Sequence, residues 1–201
     1  MRVWYSDPYE VPLPEGHRFP MGKYRLVREA LLARRILTAE QLELSTPLDE
    51  ATLAVVHDRA YLRACFDGTL DEAALRRVGF PWSDALLQRS LASAGGTLSA
   101  ARHALEHGVA GNLAGGTHHA HAGFGSGYCV FNDLAVAAAT LLAERRVERV
   151  LVVDLDVHQG DGTAAIFRNE PRVFSFSMHG SSTVRDDPLL NGTDPSSRSM
   201  T

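Results

Sequence analysis

Apolar residues recur at helical spacing from Lys23 to Ile36, where Tyr24, Val27, Leu31 and Leu32 stand between arginines, and this pattern predicts an amphipathic helix. Before it, Arg2–Ser6 reads as a short strand and Asp7–Pro20, with four prolines, as an irregular loop. A second helical start follows Thr38, and Pro47–Phe66 carries two short helical patterns broken around His57–Asp58 and ended by Gly68. Gly79–Ser83 reads as a turn whose serine caps a long helix ending at Gly108. Gly95 and Gly96 inside it either weaken the helix or mark a close packing contact.

Beyond Asn112–Ala114, a brief strand, a Gly115-Gly116 turn leads to a histidine cluster. Asn132 or Asp133 then caps a strongly apolar helix running to Arg145. A strand entered at Arg149–Val153, a helix over Thr163–Arg168 and a strand over Arg172–Met178 follow. Strands alternating with helices at these separations predict an α/β fold with a mostly parallel sheet. Residues 181–201 show no period, and eight of these 21 are serine or threonine, so they read as a low-complexity, disordered tail. No internal repeat is present.

Composition narrows the function classes. A chain of 201 residues with 45% hydrophobic and 22% charged positions can bury the core of one domain. Its net charge of −4 gives no basic footprint for nucleic acid or anionic membrane. The start lacks a secretory apolar run, and Leu134–Ala143 is too short to cross a bilayer, so a cytoplasmic protein is expected. Cys65 and Cys129 form no CxxC or disulfide framework and read as small buried apolar residues, with a reactive thiol at Cys129 the lesser alternative.

The chemistry gathers between Gly115 and Gly162. Five of the nine histidines lie from His118 to His179, beside Asp154, Asp156 and Asp161. In a strand Asp154, Asp156 and His158 share one side and Val153, Leu155 and Val157 the other, so the apolar set is expected to pack while the polar set converges. An Asp and a His two residues apart suit a borderline metal such as zinc, although a catalytic zinc normally has three protein ligands and a water. Of the adjacent pair His118-His119, one can face a metal-bound water, each needing an acceptor to fix its tautomer; Asp154 and Asp161 are the available carboxylates. A lone His57 reads as a satisfied structural histidine. GFGSG (123–127) lacks the spacing of a dinucleotide fingerprint and reads as a loop that lets backbone approach a ligand.

GGTHHAH, GYCVFND, VDLDVHQGDGT and FSFSMHG, in this order and at these separations, resemble the metal-dependent histone deacetylases and their bacterial acetyl-lysine or acylpolyamine deacylase relatives. HRFPMGKYR (17–25) and GFPWS are similar to the branch nearest class IV. The resemblance implies a three-layer arginase–deacetylase α/β fold, of which residues 1–180 form the N-terminal portion and the C-terminal part is missing, and hydrolysis of an N-acetyl- or N-acyl-lysine amide. It implies Asp156 and His158 as ligands of zinc or another divalent metal, His119 as general base and acid, His118 as its electrostatic partner, and Asp154 and Asp161 as their orienting carboxylates. Gly127 and Tyr128 would line the acyl-lysine channel. Asp154, Asp156, His158, Ser177 and Met178, largely through backbone, would hold a structural potassium ion.

The family's further zinc-ligand aspartate and oxyanion tyrosine have no counterpart here: no tyrosine follows Tyr128, and Asp186, Asp187 and Asp194 lie outside any matching motif. A chain truncated or frame-shifted after Gly180, with impaired activity, is therefore expected. Two other readings stand beside it: a magnesium-dependent phosphatase built on the Asp-x-Asp of DLDV, which leaves the histidines without a role, and a non-catalytic remnant that pairs with another chain.

Overall fold

Val3 and Trp4 sit buried in the central strand of the first sheet in the computed structural model of the chain, which describes residues 1–181. Strand β1 (Arg2–Tyr5) is flanked by β2 (Leu42–Leu44) and β3 (Ala110–Asn112), both parallel to it, with Val3 opposite Leu42 on one side and Gly111 on the other. A second sheet pairs β4 (Val150–Asp154) with β5 (Val173–Ser177), again parallel, with Val150 opposite Val173 and Asp154 opposite Ser177. All named strand pairs are thus parallel, and helical crossovers connect them, as the alternating pattern requires.

Helix α1 (Lys23–Ala33) ends three residues earlier than its apolar period suggests, and the chain turns at Arg35 with φ of 56°. None of its residues is buried, and Val27 is exposed, so the stripe is only half used. The expected helical start after Thr38 is a single 3-10 turn, Ala39–Gln41, in which Gln41 Oε1 accepts from Thr38 N–H at 2.9 Å; it leads at once into β2, a strand three residues too short to show a period.

The Pro47–Phe66 region holds α2 (Glu50–Leu53) and α3 (Arg59–Phe66), parted at His57–Asp58. Helix α4 (Glu72–Val78) went unread in the sequence. Its signals are Asp71, whose carboxylate caps Ala74 N–H at 2.8 Å, and Gly79, which ends the helix at φ of 84°.

Ser83 caps α5 (Asp84–His107) through a 3.1 Å bond from Leu86 N–H, and Gly108 ends it. Of the two readings of Gly95-Gly96, close packing is the one observed. A side chain on Gly95 would collide with the Thr46 carbonyl, and one on Gly96 would meet Ser45 and Asn112. The helix therefore seats directly on the first sheet. Asn132 caps α6 (Asp133–Ala143), and α7 (Asp161–Ile166) joins β4 to β5.

The main core gathers around Leu53, Leu62, Leu91, Phe131 and Val136. A second cluster packs Ala135, Ala138 and Leu142 of α6 with Phe167 against Val152 and Val173, covering one face of β4–β5. The opposite face is uncovered among the described residues. Contrary to the expectation that Val153, Leu155 and Val157 pack, they are exposed, together with Leu151, Phe174, Phe176 and Met178, at 47–66% of their surface. The alternation is as expected, but no described element lies over that side, whereas parallel sheets are normally covered on both. The tail, apart from Ser181, lies outside the described residues.

Candidate active site

His118 and His119 lie in the loop between β3 and α6, and both are buried. Asp154 is the last residue of β4 and Asp161 the first of α7, so the loop drops between a strand end and a helix start. His118 Nδ1 is 2.5 Å from Asp154 Oδ2, and His119 Nδ1 is 2.6 Å from Asp161 Oδ1. With Nδ1–H donated to a carboxylate in each ring, Nε2 carries the lone pair. The two rings lie 4.1 Å apart.

Beyond β4 the chain turns, and Asp156 and His158 emerge into solvent with their side chains 51% and 56% exposed. Asp156 Oδ1 is 3.0 Å from His158 Nδ1 and 3.9 Å from His118 Nε2, while the His158 ring meets the His119 ring at 5.8 Å. The polar set thus converges on the histidine pair. Two glycines make this possible. A side chain on Gly160 would collide with the Asp154 carboxylate, and Cβ on Gly127 would sit 2.7 Å from His119 Cδ2.

Burial pushes the Asp161 carboxyl up, but its contacts with His119 and His121 outweigh this and hold it below the ordinary carboxylate range. Burial likewise raises Asp156, and hydrogen bonds from the backbone and ring of His158 outweigh it. Both carboxylates are therefore charged at neutral pH. The Cys129 thiol is pushed up to about 12 by burial, so the reactive-thiol alternative has no support at this position.

Gly127 and Tyr128 both adopt positive φ, and the tyrosine packs against Phe19 and Phe80 at ring distances of 5.0 and 5.2 Å. At the far side, Met178 N–H donates to Asp154 O at 3.0 Å and Gly160 N–H to Ser177 Oγ at 3.3 Å, which ties the end of β5 to the turn after β4. His57, as expected of a structural histidine, is buried and bonded at both nitrogens: it accepts from Asn132 N–H at 3.0 Å and faces Ala122 O at 3.3 Å.

Sequence reasoning passed over three contributors. His121 Nε2 stands 3.7 Å from Asp161 Oδ2, so the third histidine of HHAH shares the second carboxylate. Gly160 provides space beside Asp154. Asp133, read only as a helix cap, turns its carboxylate to the histidine loop. An Asp directly after the capping Asn was the available signal.

Among the described residues, no group of three or more His, Cys, Asp or Glu side chains is arranged to hold a metal ion. Asp156 Oδ1 and His158 Nδ1, joined here by a 3.0 Å hydrogen bond, are an oxygen and a nitrogen of the types a borderline divalent ion accepts. Between His158 and Gly160, Gln159 Oε1 is buried without a hydrogen-bond partner among the described residues, an acceptor that an ion or water would satisfy.

Residues 17–185 match the model of the histone deacetylase domain. An uncharacterized protein of Picosynechococcus sp. is 51% identical over 88% of this chain and 59% of its own length. The acetoin utilization protein AcuC of Staphylococcus aureus is 30% identical over 87% of this chain and 48% of its own. Among solved structures, a histone deacetylase homologue from Aquifex aeolicus is similar with a TM-score of 0.73 and 25% identity, over 89% of this chain and 50% of that one. A homologue complexed with SAHA gives the same TM-score. The chain thus spans roughly half the length of most of these relatives. The matched stretch runs five residues past Gly180, beyond the point where the motifs end. With the parallel α/β architecture, the family match and the relatives in agreement, the chain belongs to the histone deacetylase family.

Proposed function

We propose that this chain is the N-terminal portion of a zinc-dependent deacylase that hydrolyses the amide of acetyl- or acyl-lysine. The observation that carries the reading is the pair of histidine–carboxylate bonds at 2.5 and 2.6 Å, which place two lone-pair nitrogens beside Asp156 and His158. Asp156 and His158 would hold zinc or another divalent ion, which when bound would supply Lewis-acid chemistry, activating water and polarising a carbonyl. His119, its Nδ1–H committed to Asp161, offers Nε2 as general base and then acid. His118, backed by Asp154, offsets charge beside it. Tyr128 and Gly127, with the rings of Phe19 and Phe80, would wall the lysine stem. The backbone of Asp154, Asp156 and His158, with Ser177 and Met178, is our candidate for a structural potassium site.

With two zinc ligands assigned and no oxyanion tyrosine, the 201-residue polypeptide is expected to bind zinc weakly and turn over slowly, since one oxyanion donor is worth about 10²–10³ in rate. The test measures metal content and deacylation of acetyl-lysine and longer acyl-lysine peptides, with and without chelator. Chelator-sensitive turnover at ordinary rates of about 1–10³ s⁻¹ would remove the impairment. Phosphatase activity with magnesium alone would replace the reading.

A second reading, a module that binds a partner chain, is favoured by the exposed apolar face of β4–β5. Size-exclusion chromatography and protease resistance separate a folded module from an unstable fragment. We place either activity in the cytoplasm on the strength of Cys65 and Cys129, both unpaired and buried. No helix among the described residues is long and apolar enough to cross a membrane.

A further inference from the structure

Asp133 is buried at the first position of α6, where an aspartate would ordinarily serve the helix start, yet that service is already rendered by Asn132, whose Oδ1 accepts from Ala135 N–H at 3.0 Å. The Asp133 carboxylate turns the other way. Oδ1 accepts from Thr117 N–H at 2.7 Å and Thr117 Oγ at 2.5 Å; Oδ2 accepts from Gly116 N–H at 3.0 Å and Thr97 Oγ at 2.5 Å. These four bonds use the carboxylate's full acceptor capacity. Gly115 is obligatory beside it, because a side chain there would strike Asp133 Oδ2 and Thr97.

On the other side of the histidines, the Asn132 amide donates to Ala120 O at 2.9 Å and to Thr163 Oγ at 3.0 Å. Thr163 N–H in turn donates to His118 O at 3.1 Å. The loop carrying His118-His119 is thus gripped before the pair by Asp133, after it by Asn132, and at His118 itself by α7, the helix that starts with Asp161.

We infer that Asn132 and Asp133 form a positioning clamp that sets His118 and His119 at bonding distance from Asp154 and Asp161. The inference rests on the reading of that histidine pair as the proton-transfer groups. Neither clamp residue touches the reacting atoms. The mechanism is geometric: bonds of 2.5 and 2.6 Å tolerate little drift, and the stretch from Gly115 to His119 has no apolar side chain of its own to fix it.

Asp133→Asn isolates the effect. The amide has the same shape, but whichever way it is turned its NH2 faces a backbone N–H, of Gly116 or of Thr117, which cannot rotate away as the two threonine hydroxyls can. The experiment records the imidazole N–H and C–H resonances of His118 and His119 by NMR, with core methyl resonances as the control for folding. In the wild-type chain both Nδ1–H protons are expected far downfield, as short bonds to carboxylates require. In Asp133→Asn these signals should move upfield or vanish and the ring C–H resonances should shift, with the methyl pattern of Leu53, Leu62 and Val136 retained. Unchanged imidazole signals overturn the clamp. If Asp133→Asn fails to fold, Thr117→Val, which removes one of the two hydroxyl bonds to the carboxylate and keeps the Thr97 bond and both backbone ones, decides: a smaller shift in the same direction supports the clamp, and none overturns it. The readout needs no turnover, so an inactive polypeptide leaves the test valid, and unchanged resonances would leave the deacylase reading standing.

Discussion

Gly127→Ala should cost this protein more than a surface loop substitution has any right to. Gly127 has φ of 54°, a left-handed backbone that costs a residue with Cβ about 1–2 kcal/mol. The added carbon would also lie 2.7 Å from Cδ2 and 3.2 Å from Cγ of His119, whose ring is pinned on its far side by Asp161 and cannot retreat. Overpacking of this kind costs about 1–3 kcal/mol. The two together come to about 2–5 kcal/mol, a large share of the roughly 5–15 kcal/mol that stabilises a domain.

Two other glycines separate these contributions. Gly116 has φ of 69° with nothing within 4 Å, so Gly116→Ala carries strain alone; Gly160 has φ of −76° but faces Asp154, so Gly160→Ala carries collision alone. The gain from a stiffer unfolded chain applies to all three and cancels in the comparison. Urea denaturation of the three variants provides the assay, with a midpoint shift of roughly 1 M or more expected for Gly127→Ala. A Gly127→Ala variant no less stable than Gly116→Ala would refute the reasoning, because it would mean that the His119 ring is free to move.

Further outcomes follow from the same geometry. Asp161 titrates below its unfolded value, so the unfolded state binds more protons as pH falls past the ordinary aspartate range near about 3.9; the stability this group adds is present above that range and lost below it. Denaturation at pH 7 and pH 3 should show the loss, reduced in Asp161→Asn. With its thiol pushed up to about 12, Cys129 should resist a thiol reagent at pH 8 in the folded protein and react once urea is added, and fast labelling of the folded chain would contradict its burial. Replacing Leu151 and Phe174, adjacent across β4 and β5, by lysine and glutamate should reduce self-association measured by light scattering without lowering the melting temperature.

The sequence made some elements legible because their signals are local. Ser83 and Gly108 bracket α5, and Asn132 starts α6, each by a cap chemistry that acts within four residues. Asp154 could be placed on the side opposite Val153 because alternation is a property of the extended backbone, but β4 ends at Asp154, and Asp156 and His158 converge through the turn that follows rather than by strand alternation. What stayed hidden depended on distant partners. Strand β2 exists because β1 lies beside it, and three residues cannot display a period. The fate of Val153, Leu155 and Val157 was misjudged because a strand's pattern states which side is apolar, not whether anything covers it. Asp133 looked like a cap because its true partners, Thr97, Gly116 and Thr117, lie up to 36 residues away.

The seating of α5 has a consequence for how the molecule comes apart. This helix touches β1 and β3 on one side and α6 on the other, and the glycines that let it lie against the Thr46 carbonyl leave no slack for it to slide. Among the described residues no hydrogen-bonded strand pairing links the two sheets, so α5 and α6, with the histidine loop, carry the connection between them. The amides near Gly95 should therefore be among the last to exchange with deuterated water, and their opening should coincide with global unfolding. Strands β4 and β5, covered on one face only among the described residues, should open earlier, which makes the Asp156–His158 end of the site the first part of it to loosen.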